Sequence, residues 1–131
     1  MQDPAYDASV PIYLQLIERI QRLIVRGEWP AGQRIPPVRE LALAFGVNPN
    51  TMQRALAEME RDGLLYSERT SGRFVTGDQK RILRLRANLA EEILEDFWLR
   101  MEGLGYTREE VLPLLQKERP NEINKRNEGD I

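Results

Sequence analysis

The 131-residue sequence predicts a mainly α fold with one small β-hairpin, closed by a C-terminal pair of helices. Three observations carry that reading. Residues 38–57, VRELALAFGVNPNTMQRALA, show two short apolar periodicities on either side of Gly46. Residues 64–76, LLYSERTSGRFVT, hold two strand-like runs around a Thr-Ser-Gly turn. From Asp78 onward, apolar residues recur at helical spacing over several turns. Two helices at a tight turn, followed by a hairpin, are the parts of a winged helix-turn-helix. The expected organisation is residues 1–10 as a loose N-terminus and 11–77 as the winged helix-turn-helix. Residues 78–118 form a two-helix dimerisation or effector element, and 119–131 a polar, disordered tail.

The first helix starts at Pro11, whose fixed φ suits a first turn, and Gly27 ends it. Leu16, Ile20, Leu23 and Ile24 face a core, while Arg19, Arg22 and Arg26 fall on the opposite side, where plain solvation outweighs phosphate contact. A Pro- and Gly-rich connector follows, EWPAGQRIPP, in which Trp29 plugs the core edge and Gln33-Arg34-Ile35 can pair as a minor strand. The next helix runs from Val38 to Phe45, with Leu41, Ala42 and Phe45 on one face. Gly46 supplies the positive φ of the turn. Asn48-Pro49 is an N-cap followed by proline at the first helical position.

The helix opened by Pro49 buries Met52, Ala55, Leu56 and Met59 and ends near Asp62-Gly63. Placed at 100° steps, Asn50, Gln53, Arg54, Ala57 and Arg61 lie opposite that stripe. Amide and guanidinium groups can read base edges: Arg on guanine O6/N7, Asn or Gln on adenine N6/N7. Thr51, on the flank near the helix N-terminus, suits a phosphate. Glu58 would repel phosphates and so limits insertion to about Ala57. In the hairpin, strands at 64–66 and 74–76 leave Thr70-Ser71-Gly72 as the turn, with Arg69 and Arg73 flanking a tip that can reach a minor groove.

A long helix is expected from Gln79 to about Gly103. Its apolar band, Ile82, Leu85, Leu89, Ile93, Phe97, Met101 and Leu104, is broadened by Ala90, Leu94 and Trp98. Gly105 breaks the helix, and Thr107-Arg108-Glu109-Glu110 reads as a capping box for a short helix to about Lys117. A band this wide calls for a partner surface. A second copy is the economical one, so Ile82, Leu85, Leu89, Ile93, Phe97, Trp98, Met101 and Leu104 are assigned to a homodimer interface. Phe97, Trp98 and Tyr106 suit a small-molecule effector pocket, although such rings more often simply fill a core. The cluster Lys80, Arg81, Arg84 and Arg86 sits at a helix N-terminus, where the dipole disfavours cations; phosphate contact and plain solvation are near-equal readings.

Composition narrows the chemistry. There is no cysteine and no histidine, which removes thiolate metal sites, the commonest zinc ligand and the commonest general base. No paired acids mark a cleft, so no catalytic residue, cofactor or metal site is assigned. Neither a membrane span nor a signal-peptide profile is visible, and the expected compartment is the cytoplasm. Net charge is −2, acidic for a nucleic-acid binder. Its distribution is local, however: Arg34, Arg39 and Arg54 face a single acid, Glu40, across that span.

From Pro11 to Val75 the chain resembles the GntR-family winged helix-turn-helix. The likeness rests on Pro11-Ile12-Tyr13-Leu14-Gln15, Gly32-Gln33-Arg34-Ile35-Pro36, Arg39-Glu40-Leu41-Ala42, Val47-Asn48-Pro49-Asn50-Thr51 and Gly72-Arg73-Phe74-Val75. The remaining residues are similar to the short two-helix tail of the YtrA subfamily, a dimerisation element. This resemblance implies a bacterial transcription regulator, usually a repressor, acting as a homodimer on an inverted-repeat DNA operator. It implies DNA contacts at Arg39, Asn48, Asn50, Thr51, Gln53 and Arg54, with Gly72 at the wing tip; the residue reading adds Arg34, Arg69 and Arg73. Two positions depart from the family pattern. Pro37 stands where a capping Ser is common, and the wing reads Thr-Ser-Gly-Arg rather than a fuller Gly-x-Gly turn. The competing class is a winged-helix protein-interaction module that binds no duplex DNA.

Overall fold

The computed structural model describes residues 6–117. The elements run α1 (Ile12–Val25), α2 (Val38–Phe45), α3 (Pro49–Arg61), β1 (Leu65–Glu68), β2 (Gly72–Val75), α4 (Gln79–Gly103) and α5 (Arg108–Leu115). They form two compact units, and the division falls inside α4, between Asn88 and Leu89. That is later than the boundary at residue 77 drawn from sequence, because the first turns of α4 pack with the winged part. Ile82 is buried in its core and Leu85 packs against it.

In the first unit, α3 is the central helix, packed by both α1 and α2. Met52, Ala55, Leu56 and Met59 are fully buried, as the stripe predicts, and meet Leu16, Ile20 and Ile24 of α1 and Leu41 and Ala42 of α2 in one cluster. Leu23 is only half-buried, outside that cluster. Trp29 packs against the core edge as expected. The α2–α3 turn is set by Gly46, at φ 69°, whose amide closes on Leu43 O.

Two expectations for α1 change. Arg19 is not on a wet face: it is half-buried, with its guanidinium 4.9 Å from the Tyr6 ring centroid and 5.5 Å from that of Phe45. Nor does a loose N-terminus describe the chain from Tyr6 on. Tyr6 is buried and its hydroxyl donates to Phe45 O at 2.7 Å. Gln15 donates to the carbonyls of Asp7 and Val10 and accepts from the Asp7 amide. A buried ring and a side-chain amide that replaces backbone partners give this segment the contacts its polar composition does not suggest. Residues 1–5 and the tail expected at 119–131 lie outside the described residues.

The hairpin is longer than its apolar runs. β1 and β2 pair antiparallel with Leu65 opposite Val75 and Glu68 opposite Gly72. The turn is therefore Arg69-Thr70-Ser71, and Gly72 begins β2. Backbone pairing costs polar residues nothing at an exposed edge, so Ser67 and Glu68 extend the ladder where hydrophobicity stops. Gln33–Ile35 pairs with β2 through a single bridge, Arg34 opposite Phe74, rather than as a strand: Ile35 N donates to Arg73 O and Val75 N to Gln33 O, each at 2.9 Å. Gly72, at φ 108°, adopts a backbone conformation that side chains with a Cβ rarely take, and the Arg34 side chain lies against it.

In the second unit, Thr107 and Glu110 form the full capping box at the start of α5. Val111 is buried, Phe97 and Trp98 meet edge to face at 5.2 Å, and Arg108 lies over Trp98. Ile93, Leu94, Leu99, Leu104, Leu112 and Leu115 remain exposed. No helix among the described residues is long and apolar enough to cross a membrane.

Candidate nucleic-acid interface

The N-terminus of α3 is fixed by its own sequence. Asn48 Oδ1 accepts the amide of Asn50 at 2.8 Å, and Pro49 needs no partner at the first helical position. The carbonyl end of the Asn48 side chain is thus committed to the cap, which leaves its amide end for a ligand. Asn50, Gln53 and Arg54 are exposed and Thr51 is half-buried. Arg39 is exposed on α2, whose start at Pro37 has no side-chain cap.

An open groove of about 380 Å³ lies between α3, the start of α2 and the hairpin. Gln53, Arg34, Arg69, Gly72 and Arg73 all line it, together with the acid Glu68. The structure therefore brings together residues from the connector, α3 and the hairpin that the sequence holds apart. Arg39, Asn48, Asn50, Thr51 and Arg54 lie outside this groove's lining. Among the described residues, Arg34, Arg39, Arg54 and Arg69 have no carboxylate partner, whereas Arg22, Arg26, Arg61 and Arg73 each do. Glu58, expected to repel phosphates, is paired with Arg61 at 2.9 Å.

Arg73 is the main difference from the sequence expectation. It is inside β2 rather than at the tip, 17% exposed, and its Nε donates to Glu60 Oε1 of α3 at 2.7 Å. Ser67 of β1 donates to the same oxygen. One carboxylate on α3 thus holds both strands of the hairpin. The Ser67 hydroxyl, and after it Arg73, hold the Glu60 carboxyl below the ordinary glutamate range, against the opposing effect of burial. A lowered folded-state value means that this stabilisation is complete above the ordinary glutamate value and is lost as pH falls through the folded one. Glu60→Gln is expected to cost about 1–2 kcal/mol at neutral pH, a loss that shrinks on acidification below pH ~4. Thermal unfolding of both proteins across pH 3–7 checks this; a difference that does not vary with pH would remove the carboxylate from the account.

Two contributors were missed from sequence. Glu60 stands between Glu58 and Asp62 at a charged helix end, where nothing local distinguishes it. Tyr13, in the first turn of α1, carries the Arg54 guanidinium over its ring at 3.8 Å from the centroid. Its spacing from Leu16 and Ile20 was the available signal, since it places an aromatic ring on the face of α1 that meets α3.

Residues 12–75 match the model of the bacterial regulatory proteins, gntR family. YhcF, an uncharacterized HTH-type transcriptional regulator of Bacillus subtilis (strain 168), is 41% identical over 110 residues, covering 84% of this chain and 91% of its own. The chain belongs to the GntR family. Among other relatives, the B. subtilis HTH-type transcriptional repressor YtrA is 37% identical over 76 residues, 58% of either chain. A GntR family transcriptional regulator from Listeria monocytogenes superposes with a TM-score of 0.81 at 38% identity, over 87% of this chain and all of its own. The DNA-binding domain of AraR, solved in complex with operator ORX1, matches with a TM-score of 0.50 at 36% identity, over 58% of this chain and 92% of its own. This GntR-family chain is a DNA-binding transcriptional regulator of the winged helix-turn-helix type, and its relatives are regulators rather than enzymes.

Proposed function

We propose that this GntR-family regulator is a homodimeric repressor of the YtrA type, acting in the cytoplasm on an inverted-repeat operator. In this reading each protomer lays the start of α3 in the major groove of one half-site. The observation that carries it is the exposed amide pair Asn50 and Gln53, flanked by four arginines without carboxylate partners. The relative YtrA, a named repressor, supports the sign of regulation. Arg34, Arg39, Arg54 and Arg69, with Asn48 and Thr51, supply phosphate contacts. Gly72 lets the hairpin approach closely, and Arg73 acts by bracing the hairpin.

The dimer reading rests on the second unit. Ile93 and Leu104 are 66% and 73% exposed in the single chain, beside half-buried Leu89, Phe97, Trp98 and Met101. A two-fold partner would cover them. Ile82 and Leu85 sit at the start of the same helix but already serve the core of the first unit. The Phe97, Trp98 and Tyr106 rings remain the place for a small-molecule effector.

Selection of bound sequences from a random duplex pool, with sedimentation to give the oligomeric state, tests the proposal. A palindrome with fixed half-site spacing and a two-protomer complex is the expected result. A monomer on an asymmetric site would remove the dimer, and no duplex binding at any salt would point to a protein-interaction module. On the recovered operator, Arg39→Ala is expected to weaken binding by more than about tenfold at matched salt; unchanged affinity would exclude Arg39 from the interface.

A further inference from the structure

We infer that Tyr13 is a positioning residue for Arg54, and that the pair forms a phosphate clamp rather than a base reader. The inference rests on the DNA-binding reading above and assigns this part of its surface. Arg54 belongs to α3, but its guanidinium does not extend with Asn50 and Gln53. It folds back against α1, 3.8 Å from the centroid of the Tyr13 ring. At that distance the guanidinium carbon is in contact with the ring, within the range of a cation–π interaction.

Tyr13 is itself anchored. It is half-buried, packs against the core of the first unit, and stands in the first turn of a helix that packs on α3. A cation–π contact at an exposed site is worth about 0.5–1 kcal/mol, so it biases the Arg54 side chain toward this position before binding. No carboxylate neutralises Arg54 among the described residues, in contrast to Arg73, which Glu60 holds. Its charge is therefore available, yet placed toward the start of α1 rather than along the outward face of α3. When α3 occupies a major groove, the elements beside it meet the sugar–phosphate edge of that groove. An unneutralised guanidinium biased to that side donates to phosphate oxygens. Base reading is then left to Asn50 and Gln53.

The test compares Tyr13→Leu, Tyr13→Phe, Arg54→Ala and the Tyr13→Leu/Arg54→Ala double variant. Affinities are measured over a salt series on the selected operator and on a scrambled duplex, with thermal unfolding of each protein. Arg54→Ala is expected to weaken both duplexes by a similar factor and to reduce the log–log salt slope by about 0.9. Tyr13→Leu should weaken both by about threefold to fivefold, the range of an exposed cation–π contact. Tyr13→Phe keeps the ring and should bind within about twofold of the unmodified protein. In the Arg54→Ala background, Tyr13→Leu should cost nothing further. An equal cost of Tyr13→Leu with and without Arg54 would overturn the positioning role and make Tyr13 merely structural. A changed base preference at one operator position in Arg54→Ala, with the scrambled duplex unaffected, would make Arg54 a base reader. An unmodified protein that binds neither duplex would overturn the DNA reading itself, a result separate from both.

Discussion

Leu56→Ala is expected to destabilise the winged unit by about 2–5 kcal/mol. Leu56 is fully buried on α3, in the one cluster that α1, α2 and the hairpin all share. Truncation removes three carbons from a cluster to which α1, α2, both hairpin strands and the start of α4 contribute, and leaves a cavity there. The loss should appear as a drop in melting temperature of more than about 10 °C, given 4–8 °C per kcal/mol for a unit of this size. Leu43→Ala is the matched control. It removes the same carbons from α2, but Leu43 is 85% exposed, so its cost should stay within about 0.5 kcal/mol. Denaturant unfolding of the two variants side by side decides the matter. Equal losses would mean that α3 is not the core of the unit.

Gln53→Ala should relax the operator consensus at one position by about 1–3 kcal/mol of discrimination while leaving non-specific binding intact. Gln53 is exposed, lines the groove between α3 and the hairpin, and carries both a donor and an acceptor at one tip. That bidentate capacity suits an adenine edge and is lost completely in alanine. Its signature is a selected site that loses preference at one base pair per half-site, with the salt slope unchanged. Asn50→Ala should act in the same way at a neighbouring position. A uniform loss on all sequences would instead assign Gln53 to the backbone.

What could be read from sequence followed from local physics. The α3 stripe, its Asn48-Pro49 start, the Gly46 turn and the Thr107 capping box are each written within a few consecutive residues, and all appear in the structure. The contacts that position the candidate interface side chains are not local. Arg54 of α3 meets Tyr13 of α1, and Arg73 of β2 meets Glu60 of α3. Nothing in the periodicity of either partner names the other. The hairpin boundaries failed for a different reason: a two-stranded edge is held by backbone pairing, and Ser67 and Glu68 join it with no apolar signal. In α4 the apolar band was visible, but a band does not say what covers it. Ile82 proved to belong to its own core, while Ile93 and Leu104 remain open.

The Glu60 carboxylate touches both hairpin strands while standing on α3, so the helix and the hairpin are joined like the two jaws of a caliper. Their spacing is tied at this one carboxylate. Any duplex that fills both jaws must bring its grooves to that gauge, and the energy of bending or narrowing the DNA becomes part of recognition. Operators recovered by selection should therefore share a groove width beneath the hairpin, even at base pairs that no side chain touches. Glu60→Gln, by loosening one jaw, should blunt that preference before it affects the bases under α3.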